Sequence, residues 1–174
     1  TECKKLKDDY LFAYEKPQDA YRAAWKELIY EPDNRKIIIQ NILEKHKEDQ
    51  CLILCDSVEL AEKLHKELGI QVVHGSTDSS LRDLIYNEFR SERIKKLIAT
   101  NIYSEGVDFP GLNVCILAEP FKSPIRLLQR IGRTMRKKEG KKDSIIYDIQ
   151  DVNYPFFDKQ AFERRKLYDR EGIP

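Results

Sequence analysis

Residues 129–136 read Gln-Arg-Ile-Gly-Arg-Thr-Met-Arg, which places Arg133 and Arg136 three apart just after a glycine. Upstream, Ser123-Pro124 is a helix start. The serine can cap, and proline suits a first turn because its missing N–H has no intrahelical partner there. On the predicted helix Arg126, Arg130 and Arg133 share one face at steps of four and three, while Leu127, Leu128 and Ile131 supply apolar positions opposite. From Lys122 to Lys142 there are nine Lys or Arg and one acid, Glu139. A planar, permanently charged guanidinium pair held on a packed helix suits phosphate. The same pattern also fits a solvated basic helix face, and charge alone does not separate the two.

Two further sets have the right types. Ala99-Thr100-Asn101 ends an apolar run in a hydroxyl and an amide, and Gly106 and Asp108 follow before Phe109-Pro110. Glycine permits close backbone approach, and a carboxylate in such a loop can accept from a ribose hydroxyl. Equally, Asp108 can bond its own backbone in a plain turn. The other set is His74-Gly75, Arg82 and Phe89-Arg90. Ile85 and Phe89 fall at helical spacing and read as core, and Arg82 alone reads as a surface charge.

The elements that would hold these residues alternate. A helix is predicted from Pro17-Gln18-Asp19 to Tyr30, and another ends near Lys47 with Ile38, Ile42 and Leu43 inward. Cys51–Cys55 is a continuous apolar run, as buried parallel strands are. Ser57 caps a helix that ends at Gly69. A short strand at 71–73, a helix from Asp78 or Ser79 to Arg90, strands at 96–100, 113–118 and 144–149, and a last helix at 155–169 complete the series. This rhythm means right-handed βαβ units and an α/β fold whose parallel sheet is covered on both faces. Ligands then bind beyond the carboxyl ends of the strands, where Asp56-Ser57, His74–Thr77 and Thr100-Asn101 would gather.

The bulk properties set bounds. The 174 residues carry a net charge of +1 and are 41% hydrophobic, which fits one folded domain with a real core. No apolar run of about 18 residues marks a membrane span, and the N-terminus lacks the apolar core of a signal peptide. The chain begins without Met, so a fragment or processed product is expected. Cys51 and Cys55 lie about 13 Å apart along a strand, beyond disulfide reach, and the four cysteines show no paired zinc spacing. Buried thiols in a reducing, intracellular compartment are the expectation: the cytoplasm, a nucleoid or a nucleus.

Taken together, these runs resemble the second RecA-like domain of superfamily 2 helicases and translocases, from about Arg35 to Gln150. Leu52–Ser57 is similar to motif IV. His74-Gly75 with Arg82 and Phe89-Arg90 is similar to motif IVa, and Ile98–Pro110 to motif V. Gln129–Arg136 is similar to motif VI and is the most specific of the four. The resemblance implies a RecA-like parallel sheet with helices on both faces, flanked by a lead-in helix within 1–34 and a helical extension within 151–174. It implies ATP with Mg2+ as cofactor, and Arg133 and Arg136 reaching the phosphates across an interdomain cleft beside Gln129. Such a finger arginine is worth on the order of 10³–10⁵ in rate in GTPases. Gly106 and Asp108 match positions facing the nucleotide. Ser57 and Thr100 match contacts to a phosphodiester backbone, with His74, Gly75, Asn101 and Arg82 as weaker candidates. Backbone contacts of this kind carry no sequence information, as a motor requires.

Ser104–Pro110, Gly140-Lys141-Lys142 and the tail 156–168 resemble repair and recombination DNA enzymes of phage and archaeal type. Gln129 departs from the DEAD-box RNA helicases, which have His there. No phosphate-binding G-x-x-x-x-G-K-[ST] loop or D-E-x-H box occurs. The expectation is a motor half that needs an N-terminal RecA-like domain in cis and has no ATPase activity alone. The competing expectation is a non-catalytic nucleic-acid-binding or partner-docking module on the same scaffold.

Overall fold

The computed structural model describes residues 33–100, 109–119, 144–151 and 155–170, with side chains from 158 onward in the last segment. Its elements are α1 (Asn34–Lys45), β1 (Gln50–Leu54), α2 (Val58–Leu68), β2 (Val72–Val73), α3 (Ser79–Arg90), β3 (Lys96–Ala99), β4 (Leu112–Leu117), β5 (Ile145–Asp148) and α4 (Pro155–Arg170). The five strands form one sheet in the order β2-β3-β1-β4-β5, and every pairing is parallel. The lead-in helix expected before Asp33 lies outside the described residues.

The central strands β1, β3 and β4 are buried on both sides, while β5 at the sheet edge is partly exposed, so alternate residues of the centre feed two cores. Leu52 and Leu54 of β1 join Leu97, Cys115 and Leu117 beneath Ile85 and Phe89 of α3. Cys51, Ile53 and Cys55 face the other way, with Ile98, Val114 and Ile116, beneath Ile39 of α1 and Leu60, Ala61 and Leu64 of α2. Phe89 meets Phe109 edge-to-face, with ring centroids 4.9 Å apart, an arrangement aromatic quadrupoles favour. Helices therefore cover both faces, as the alternation predicts.

Local signals set α2 and α3. Ser57 Oγ accepts from Leu60 N at 3.2 Å, and Gly69 closes α2 in the left-handed region at φ 67°. That conformation is nearly free for glycine and costly for other residues. Asp78 Oδ1 accepts from Ser80 N and Leu81 N to start α3. The phase of α1 differs from expectation. Ile38 is 43% exposed and Ile39 is fully buried, alongside Arg35. Three consecutive isoleucines leave the phase open, and the buried stripe runs through an arginine that hydrophobicity counts as polar.

The C-terminal helix is joined to the sheet by a buried polar set. Arg164 Nε donates to Asp148 Oδ2 at 2.8 Å, and the Tyr168 hydroxyl donates to the same oxygen at 2.9 Å. Arg164 is 2% exposed. Burial, and then the neighbouring Asp148 carboxylate, push the Tyr168 hydroxyl above its ordinary pKa. Cys51, Cys55 and Cys115 are buried free thiols, as the strand geometry implies.

Candidate functional site

The strand register levels one edge of the sheet. Leu54 of β1 pairs with Ala99 of β3 and Leu117 of β4, Val73 pairs with Ala99, and Leu117 pairs with Asp148. Bonds continue one step past the ladder: Cys55 N donates to Ala99 O, Thr100 N to Val73 O and Ala118 N to Leu54 O, at 2.9, 3.1 and 2.9 Å. Ser57, His74, Thr100 and Glu119 thus leave the sheet along the same rim. The chain reverses its lateral direction at β1, between β3 and β4, which is where open α/β sheets form their binding crevice.

Each described candidate has a definite setting there. Ser57 is half-buried. Its Oγ is engaged as acceptor in the α2 cap, which leaves the hydroxyl hydrogen to donate outward. Thr100 is 5% exposed and fixed by its backbone to β2. His74 is held on both ring nitrogens, by Glu62 Oε1 at 2.7 Å on Nε2 and by Ser76 Oγ at 2.9 Å on Nδ1. A Cβ built on Gly75 would meet nothing within 4 Å, so packing does not demand glycine there. The Arg82 guanidinium donates to Thr77 O at 2.9 Å and so braces the loop after β2. Asn101, Gly106, Asp108, Gln129, Arg133 and Arg136 lie outside the described residues.

Behind this rim stands a charged cluster that the sequence did not single out. Glu119 follows β4 and is 1% exposed. Its Oε1 accepts from Ser57 N at 2.6 Å, and its Oε2 has no hydrogen-bond partner among the described residues. Burial pushes its carboxyl up; the Ser57 and Asp56 N–H groups and the Arg35 charge pull the other way. Arg35, on the first turn of α1, donates to Ala118 O and to the Asp151 carboxylate. An acid directly after an apolar strand was the available signal for Glu119. Arg35 gave none, because a lone arginine on a helix reads as surface.

Residues 33–138, more than half the chain, match the model of the helicase conserved C-terminal domain. The chain belongs to that family. This helicase domain is 28% identical over 111 residues to the DNA 3'-5' translocase XPB2 of Sulfurisphaera tokodaii, covering 64% of this chain and 25% of the relative. It is 33% identical over 140 residues to a putative ATP-dependent RNA helicase of Methanocaldococcus jannaschii, covering 73% of this chain and 18% of that protein. Among solved structures, T4 UvsW superposes with a TM-score of 0.68 and 20% identity, over 95% of this chain and 37% of that one. That likeness shows the fold: a RecA-like helicase C-terminal domain. The helicase domain spans roughly a quarter of the length of the curated relatives it matches.

The cofactor that the resemblance implies is ATP with Mg2+. Among the described residues no cluster of three or more His, Cys, Asp or Glu is placed to hold a metal ion. Likewise, no helix among the described residues is long and apolar enough to cross a membrane.

Proposed function

We propose that this domain is the second motor half of an ATP-dependent helicase or translocase that advances along nucleic acid, with DNA as the track. The observation that carries the reading is the family membership joined to the rim. Ser57 and Thr100, the two residues matching strand-backbone contacts, leave adjacent strands at the reversal point of the sheet. A hydroxyl donor at the N-terminus of α2 is well placed for a phosphate oxygen, because the helix dipole favours an anion there. ATP would bind between this domain, residues 35–150, and an N-terminal RecA-like domain in the same protein that brings the phosphate loop and holds Mg2+. Residues 1–34 would form the connection and 151–174 a terminal extension.

In this reading Arg133 and Arg136 meet the phosphates, where preorganised cations stabilise the charge that spreads in the transition state. Gln129, Gly106 and Asp108 line the same cleft, and Asn101, His74, Gly75 and Arg82 border the strand path. The chain alone has no ATPase activity, because the phosphate loop lies in the other half. DNA over RNA rests on Ser104–Pro110 and on Gln129. The three buried free thiols fit a reducing intracellular compartment.

The test is Arg133→Ala in the intact protein. Nucleic-acid-stimulated ATP turnover is expected to fall by about 10³ or more with the fold retained. Turnover near the native rate would take Arg133 out of the mechanism and favour a docking or binding module instead. Running DNA and RNA tracks side by side decides the substrate.

A further inference from the structure

We infer that Glu119 is a positioning residue that holds Ser57 so that its hydroxyl, and not its backbone N–H, meets the phosphodiester backbone. The inference rests on the strand-binding reading of Ser57 above and adds the group that orients it.

The argument starts from what a helix N-terminus offers. Its free N–H groups are the usual anion donors. At α2 the Ser57 N–H is already taken, at 2.6 Å, by the carboxylate of Glu119. The residues are 62 apart in sequence, so the bond ties the end of β4 to the turn after β1 across the reversal point. The Ser57 Oγ accepts from Leu60 N, which fixes its rotamer. With the backbone N–H pinned and Oγ used as acceptor, the single donor left on this residue is the hydroxyl hydrogen.

A carboxylate behind an anion site looks misplaced. It raises the local negative potential, and Glu119 sits 1% exposed with Oε2 unpartnered among the described residues. Burying an incompletely paired charge costs free energy that packing alone would not select. A leucine there would fill the space and leave the Ser57 N–H unbonded. The carboxylate gives a short charge-assisted bond at that position. Arg35, bonded to the adjacent Ala118 carbonyl, offsets part of the charge.

The experiment measures anisotropy of a labelled mixed-sequence DNA single strand with the intact protein at fixed low salt, for Ser57→Ala, Glu119→Ala, Glu119→Gln, Glu119→Asp and the Ser57→Ala/Glu119→Ala pair. Glu119→Gln keeps an acceptor at full reach and is expected to bind within about twofold of native or tighter. Glu119→Asp keeps the charge but falls short, and Glu119→Ala removes both; each is expected to bind roughly three- to tenfold weaker. The double variant is expected to bind no weaker than Ser57→Ala, because both changes remove one contact. Additive losses, or Asp binding like native while Gln does not, overturn the inference. If Glu119→Ala does not fold, the Gln and Asp variants decide it. Unchanged binding by Ser57→Ala overturns the strand-contact reading itself. Weakened binding by Ser57→Ala with native binding by Glu119→Ala overturns only the positioning role.

Discussion

Replacing Arg35 with alanine should cost this domain a large part of its stability, and by an amount that depends on pH. Arg35 is 6% exposed and donates to the Ala118 carbonyl and the Asp151 carboxylate, whose side chain is 16% exposed. Removing one member of such a pair leaves a buried charge uncompensated, at about 3–5 kcal/mol. The orphaned carbonyl falls within that range, since both losses share one guanidinium. At about 2–4 °C per kcal/mol for a domain of this size, the melting temperature should drop by roughly 6–20 °C. Burial raises the carboxyl pKa of Asp151 and of Glu119, and in both the Arg35 charge opposes the rise. A carboxyl whose folded pKa is raised contributes most stability below its unfolded value, about 4, and loses it as pH climbs through the folded value. Without Arg35 both pKa values climb further, so the loss deepens. The deficit of Arg35→Ala against native should therefore grow from about pH 5 to about pH 7.5. Urea unfolding at the two pH values reads it directly, and Arg35→Ala/Asp151→Asn should recover part of it. A deficit under about 1 kcal/mol, or one that shrinks as pH rises, would refute the reasoning.

Three other outcomes are expected. Phe89→Ala empties a fully buried site against Phe109 and should cost about 3–5 kcal/mol by urea unfolding, with α3 loosened first in hydrogen exchange. Gly69→Ala forces a side chain into φ 67° at the end of α2 and should cost on the order of 1 kcal/mol without altering strand binding. Burial raises the thiol pKa of Cys51, Cys55 and Cys115, so these three should resist thiol reagents in the native state and react on unfolding, seen by mass spectrometry of labelled peptides.

Particular residues show how much could be read in advance. Ser57 and Gly69 bound α2 as their types require, because capping and the left-handed stop are local physics. Asp78 starts α3 for the same reason. The apolar run 51–55 and the alternation of elements gave the parallel sheet, whose order and register then put Ser57, His74 and Thr100 on one rim. The apolar period points Ile38 inward, whereas Ile39 is the buried residue of α1, since the stripe through it depends on Arg35 being buried by partners 83 and 116 residues away. His74 looked like an open candidate and is engaged by Glu62 and Ser76.

The sequence by itself determined the described secondary elements (the helices expected at 17–30 and after Ser123-Pro124 lie outside the described residues), the α/β class and, through four ordered runs, the helicase family. Those are set by caps, turn residues, apolar period and residue type, all of which act over a few positions. Only the tertiary structure decided which partners the buried charged side chains meet: Glu119 the Ser57 N–H, Arg35 the Ala118 carbonyl and the Asp151 carboxylate, Arg164 the Asp148 carboxylate that Tyr168 also bonds. Such pairs join residues far apart in the chain, and a charged side chain carries no local mark of its burial. It takes a partner, brought by the folding of the sheet, to make burial affordable in free energy.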